Sequence, residues 1–306
     1  MPRAIRFDRY GHRDVLYVAE VDMPVPAPDE VVVEVRAAAI NPGETSIREG
    51  YLHELFPATF PSGEGTDLAG VVSAVGGRVT GWQAGDEVLG WSWSRSSHAD
   101  YVAVPAGQLV AKPASLSWEV AGSLNVAGST AWAAVRAVGA GPGDVVAVSA
   151  AAGGVGVFTV QLLALKGARV LAIASEANHG WLRAHEAEPV AYGDDLAERL
   201  RAAVPGGITA FIDLFGPQYV DLAVELGVAP ERIDTVISRA RAAEVGAKTD
   251  GSAQGTSTEV MAELARLAAG GQLEIPIAAT YPLDAVQDAF AELEQRHTRG
   301  KIVLIP

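Results

Sequence analysis

The chain has 306 residues and a formal net charge of −14, with nearly half of its residues apolar and only a fifth charged. That charge argues against a nucleic-acid partner, because affinity for a phosphate backbone comes from Lys and Arg. The absence of cysteine excludes disulfides, cysteine–zinc sites, iron–sulfur clusters and a cysteine nucleophile.

The length accommodates one large or two ordinary domains. The first residues lack the apolar run of a secretory leader, so a globular cytoplasmic protein is the starting expectation. In chain order, segments 3–7, 15–20 and 31–40 read as strands, the last introduced by the proline-rich turn 24–28. Asn41 ends that strand and opens a short helical piece. Segments 70–76 and 86–91 read as paired short strands and 101–104 as another, so the first 115 residues are mostly antiparallel. At Ser117, a plausible N-cap, the pattern changes. A helix is expected from Gly128 to Val138. Strands at 145–149, 169–174, 189–192, 210–214 and 232–237 then alternate with helices at 155–166, 178–187, 194–203 and 217–226. Such alternation implies a doubly wound parallel sheet. Helices at 257–269 and 283–296 and a strand at 301–305 close the chain.

Segment 145–165 carries no charge over a membrane-length span, but its glycines, Ser149, Thr159 and Gln161 argue for strand, turn and helix instead. Ala151, Gly153 and Gly156 have the spacing of the dinucleotide fingerprint, with alanine for the first glycine. Following a buried strand and opening a helix, the turn presents backbone N–H groups and the positive end of a helix dipole to a phosphate. In an NAD-binding unit an acid ends the second strand and bonds the ribose hydroxyls. Here Ala174 stands in its place and Ser175 follows. Removing the carboxylate removes the charge that would repel a 2′-phosphate, so NADPH is the expected cofactor, although Glu176, one residue later, cuts the other way.

Segments 41–50, 65–76, 85–88, 98–105, 151–156, 281–290 and 300–304 together resemble the zinc-independent quinone oxidoreductases of the medium-chain dehydrogenase/reductase superfamily. The resemblance implies an α/β protein: a β-rich GroES-like catalytic domain over 1–116, completed by 271–306, and a Rossmann NADPH-binding domain over 117–270. Asn41 falls at the cysteine, and Thr66-Asp67 at the His-Glu pair, of the zinc-containing relatives, so no metal is expected.

The resemblance also assigns site residues. Asn41 and Thr130 would meet the nicotinamide, Asn41 by donating from its amide, although Asn41 could equally be a turn residue and Thr130 a helix cap. Ala152, Gly153, Gly154 and Val155 would carry the pyrophosphate. Ser175 and Asn178 would hold the 2′-phosphate, in a weaker site than one with the lysine common at the latter position, and Tyr192 would flank it. Phe215, Gly216, Val236, Ile237 and Lys301 are further cofactor candidates. The substrate pocket departs from the family: Ser46 replaces a common aromatic and Glu44 a usual aspartate, and Tyr51, Trp91 and Trp93 could restore aromatic surface there, with core or rim packing as the more ordinary reading of each. The glycine-rich turn after the fifth strand is also replaced, by 233–240.

Without a metal or a cysteine, hydride transfer suits acceptors whose conjugation spreads the incoming charge. The first reading is an NADPH-dependent quinone reductase; the alternative acceptor is an enone or enoyl thioester, and a non-catalytic nucleotide- or RNA-binding protein is the reading from another class. A homodimer and no membrane partner complete the expectation.

Overall fold

The computed structural model describes residues 1–252 and 255–306, and the chain divides into two compact units. The first comprises 1–126, 257–270 and 276–306; the second, 127–256 and 271–275. The second is thus shorter than the expected 117–270. Helix Trp118–Ala121 packs on strand Glu30–Ala39, where Ala39 N–H donates to Gly122 O at 2.9 Å. Helix Thr258–Ala269 packs on strand Leu109–Ala111. Both segments therefore go with the first unit.

In the first unit the β-branched strand Glu30–Ala39 is the organiser. It pairs antiparallel with Asp67–Val75 on one side and, along its length, with Tyr101–Pro105 and then Lys301–Ile305. Ile277–Pro282 extends the sheet parallel to Lys301–Ile305, and Glu87–Trp91 and Leu109–Ala111 extend it on the other side. Val31, Val33, Val35, Leu68, Val72, Val88 and Val102 fill one core. A second core, with Ile5, Phe7, Ile40, Phe290, Ile302 and Leu304, lies under the three-stranded sheet Tyr17–Glu20, Arg3–Phe7, Ser62–Gly63. Register decides what the strand ends bring together. Val303 opposes Ala39, so two residues further on Lys301 comes opposite Asn41; Ala37 opposes Ala69, which brings Asp67 to the same end.

The second unit is a five-stranded parallel sheet in the order Ala187–Ala191, Arg169–Ala174, Val145–Val148, Ala210–Asp213, Ile233–Thr235. Helices Leu196–Ala203 and Pro217–Glu225 supply Leu196, Leu200 and Ala223 to a core with Ala147, Leu171 and Phe211. Helix Gly156–Leu165 packs on Arg169–Ala174, Val145–Val148 and Ala187–Ala191. The strand order reverses between Val145–Val148 and Ala210–Asp213, the switch point at which open α/β sheets bind ligands. The chargeless segment 145–165 is accordingly strand, turn and helix, and among the described residues no helix is long and apolar enough to cross a membrane.

Some elements differ from expectation. The helix expected from Gly128 is Asn125–Ala137, because Gly128 is a buried interior residue rather than a boundary. The helix expected over 178–187 shortens to His179–Ala184, and its last residue already belongs to strand Ala187–Ala191. Helix Arg239–Val245 and strand Ile277–Pro282 carry too little periodic apolar pattern to be read in advance.

Candidate active site

The turn after Val145–Val148 is shaped by close backbone approach. Ala150 adopts φ 46°, a left-handed value that a non-glycine residue takes up only when its surroundings hold it there. Gly153 N–H donates back to Ala150 O at 2.9 Å. A Cβ on Gly156 would lie 2.3 Å from Ala150 O and 2.6 Å from the carbonyl of Ala151, so only glycine lets the helix start against the turn. Val155 stands at the N-cap and no side chain caps the helix. Val157 N–H already donates to Gly153 O at 3.0 Å; the other leading N–H groups of Gly156–Leu165 have no intrahelical acceptor, and with the dipole they form a seat for an anion. These residues fit the pyrophosphate of a dinucleotide.

Beside that turn, Asp213 ties the strand ends together. Wholly buried, it accepts from Ser149 Oγ (2.9 Å), Phe215 N (2.9 Å), Gly216 N (3.0 Å), Thr235 Oγ1 (2.7 Å) and Ser238 Oγ (3.3 Å). Ser149 Oγ in turn accepts from Leu214 N at 2.8 Å. One carboxylate thus fixes the loops after the first, fourth and fifth strands, including Phe215 and Gly216, and Val236 N–H adds a bond to Asp213 O. Sequence reasoning missed Asp213. Its signal is an acid closing the otherwise apolar strand Ala210–Asp213.

At the other edge, Ala174 pairs with Ala191, so Ser175 and Tyr192 leave the sheet side by side. Asn178 Nδ2 donates to Ser175 Oγ at 3.0 Å, which brings the two predicted 2′-phosphate residues together. Tyr192 is exposed, as are Ile237 and Phe215. Arg199, also missed, donates from Nη2 to Ala191 O at 2.9 Å and pairs with Asp195, which sets an ion pair at this edge. Thr130 is half-buried and lies in the second turn of helix Asn125–Ala137, so it is not a cap.

In the first unit Asn41 is the N-cap of helix Pro42–Arg48, where Pro42 presets the first turn, the Glu44 carboxyl reaches back to the Asn41 backbone, and Glu44 N–H donates to the backbone Asn41 O at 3.0 Å. The Asn41 backbone N–H donates to Glu44 Oε2 at 2.9 Å, and its side-chain Nδ2 donates to Asp67 Oδ2 at 3.1 Å. Lys301 Nζ donates to Asn41 Oδ1 at 2.6 Å and lies 3.7 Å from Asp67 Oδ2. All four residues are buried. Asp67 Oδ1 accepts from Val126 N at 2.7 Å, and Glu44 Oε1 from Thr66 N at 3.1 Å. Next to this cluster, Arg48 and Glu64 form a buried pair at 2.8 Å, and the Arg48 guanidinium lies 4.5 Å from the Phe290 ring centre.

Burial sets the protonation of the cluster. It pushes the Glu44 carboxyl up to about 8, reinforced by Glu64, and Glu64 itself up to about 7 against the pull of Arg48. Asp67 is raised and Lys301 lowered, both first by burial, while their mutual attraction opposes each shift. Burial lowers His98, whose Nε2 is 3.3 Å from Ala39 O, to about 4. At neutral pH His98 is therefore neutral.

Of the remaining pocket candidates, Ser46 is half-buried on the helix, Tyr51 is 76% exposed and Trp93 58% exposed. Trp91 is a core residue, 5% exposed, with Trp93 edge-on at 6.3 Å between ring centres.

Residues 27–114 match the family model described as alcohol dehydrogenase GroES-like domain, and 186–304 the one described as zinc-binding dehydrogenase. Quinone oxidoreductase 1 of Escherichia coli is 30% identical, over the whole of both chains. Among solved structures, the quinone oxidoreductase from Coxiella burnetii superposes with a TM-score of 0.90 at 29% identity, covering 100% of this chain and 99% of that one. Escherichia coli quinone oxidoreductase complexed with NADPH gives 0.82 at 25%, covering 99% and 100%. Zinc is implied by one of the matched descriptions, but the residues at the family's zinc position do not fit it. They are a neutral amide, a neutral hydroxyl and a carboxylate, and the Lys301 ammonium already bonds the amide and faces the carboxylate. Among the described residues no group of three or more His, Cys, Asp or Glu is placed to hold a metal ion. Fold, turn and whole-chain identity agree: this oxidoreductase belongs to the quinone oxidoreductase family of the medium-chain dehydrogenase/reductase superfamily.

Proposed function

We propose that this chain reduces a quinone with hydride from NADPH. The observation that carries the cofactor reading is the turn 150–156, locked by Gly156, together with a second strand that ends in Ala174 rather than an acid. When bound, NADPH supplies the hydride. The chain supplies binding and orientation. Ala152, Gly153, Gly154 and Val155 hold the pyrophosphate, and Phe215, Gly216, Val236 and Ile237 line the cofactor at loops that Asp213 keeps rigid. Ser175 and Asn178, flanked by Tyr192, take the 2′-phosphate through a hydroxyl and an amide, with the Arg199–Asp195 ion pair at the same edge. Asn41, Thr130 and Lys301 serve the nicotinamide, and Ser46, Tyr51 and Trp93 the acceptor, with Trp91 supporting Trp93 edge-on from the core.

The E. coli relative's name supports a quinone as acceptor. A quinone needs no Lewis acid, because its conjugation spreads the transferred charge, which accords with a lysine and an amide standing where zinc ligands would be. A homodimer and a cytoplasmic location belong to the same reading. Comparing dissociation constants for NADPH and NADH tests it: NADPH binds at least about tenfold tighter, and equal or tighter NADH binding overturns the assignment.

A further inference from the structure

The Asn41 amide has only one orientation open to it. An amide offers two N–H donors on one side and a carbonyl oxygen with two lone pairs on the other. On the oxygen side stands Lys301 Nζ, which can only donate, at 2.6 Å. On the nitrogen side stand Asp67 Oδ2 at 3.1 Å, Glu44 Oε1 at 3.4 Å and Ala39 O at 3.5 Å, all acceptors. Flipping the amide would set its NH2 against the ammonium and its carbonyl against the carboxyls. These partners are fixed in turn: Asp67 by Val126 N, Glu44 by the backbone N–H groups of Asn41 and Thr66, and Lys301 by its place in the strand and by Ile40 O at 3.4 Å. Both amide hydrogens are therefore consumed inside the protein. What Asn41 has left to offer is the second lone pair of Oδ1.

We propose that Lys301 is a positioning residue that locks Asn41 as a hydrogen-bond acceptor, so that Asn41 recognises a donor on the cofactor's nicotinamide riboside, a hydroxyl or an amide N–H, and gives no hydrogen bond to the acceptor substrate's oxygen. This inference rests on the reading that Asn41 meets the bound cofactor. It reverses the role expected from the sequence, in which the amide donates. It also gives Lys301 a task that bulk burial of an ion pair does not: a pair kept only for packing has no reason to hold one amide in one sense.

The test is NADPH affinity, by fluorescence titration, and steady-state quinone reduction for Asn41→Leu, Lys301→Met, Lys301→Arg and the Asn41→Leu/Lys301→Met double variant. Lys301→Met raises the NADPH Kd about tenfold and leaves the quinone KM within about twofold. Lys301→Arg, which still donates, recovers most of the affinity. In the double variant Lys301→Met adds no further loss to Asn41→Leu, a non-additivity that a merely structural lysine does not produce. A raised quinone KM or a lowered kcat with NADPH affinity unchanged overturns the inference, as does full additivity. If Asn41→Leu alters neither NADPH affinity nor turnover, the reading of Asn41 as a ligand contact fails instead, which is a different result. Should Lys301→Met not fold, Asp67→Asn/Lys301→Met removes the ammonium together with the charge it balances, and the same readouts decide.

Discussion

Replacing Gly156 with alanine tests the phosphate turn most sharply. The added Cβ would stand 2.3 Å from Ala150 O and 2.6 Å from the carbonyl carbon and oxygen of Ala151. All three are backbone atoms, so no side chain can swing aside. Relief requires the helix Gly156–Leu165 to move off the turn, and that helix is almost entirely buried. Overpacking of this kind costs about 1–3 kcal/mol, here toward the upper end, and lowers Tm by roughly 4–8 °C. The same shift moves the helix N-terminus away from the anion, so NADPH affinity falls by at least about tenfold. Thermal melting with and without NADPH reads both effects. A Gly156→Ala protein with wild-type Tm and NADPH affinity would refute the proposed close approach. Gly153→Ala, with its nearest contact at 3.3 Å, is a graded comparison that should cost less.

Four more outcomes follow from the geometry. Asp213→Ala leaves five donors, four of them buried, without their acceptor and should cost about 3 kcal/mol or more, measured as a lower denaturant midpoint. Ser175→Ala or Asn178→Asp should weaken NADPH binding with little change for NADH in paired titrations, because the proposed reading gives both residues only the 2′-phosphate. Stability should fall as pH rises. Glu44 and Glu64 have folded values of about 8 and 7, above their unfolded 4.5, so the folded state holds the extra protons and loses that advantage from about pH 5 up to 8. His98, lowered from 6.5 to about 4, adds stability that is lost as pH falls through that interval. Urea midpoints should thus peak near pH 4.5, since from there to 6.5 the two carboxyls outweigh the one imidazole, and decline toward pH 8, with a flatter decline in Glu44→Gln. Gly43→Ala, on an exposed helical position with nothing within 4 Å of the new Cβ, should stabilise by about 0.5 kcal/mol.

The parallel sheet and its phosphate turn were legible because their signals are local. A β-branched run, a cluster of small residues and a helical apolar pattern all fall within 145–165, and the backbone alone makes the anion seat. The contact between Ser175 and Asn178 was legible for the same reason, the two being three residues apart on one turn. The polar cluster of the first unit was only half legible. Asn41 and Lys301 each stood out, but their 2.6 Å contact joins residues 260 positions apart, and only the register of Lys301–Ile305 on Glu30–Ala39 brings them together. With that contact unseen, the amide was given the donor role that the structure shows to be taken up by Asp67 and Glu44. Asp213 was illegible for a related reason. As one acid at a strand end it resembles any loop boundary, and its five partners come from three separate segments. Trp91 was read as core or pocket surface, and its burial at the end of Glu87–Trp91 places it in the core, a choice that composition alone cannot make.

The most direct measurement follows NADPH absorbance as the purified protein meets a series of quinones, enals and enoyl thioesters. The account predicts NADPH oxidation with quinones, slower oxidation with NADH, and little or none with the thioesters. No oxidation with any quinone, alongside turnover of an enone, would contradict it.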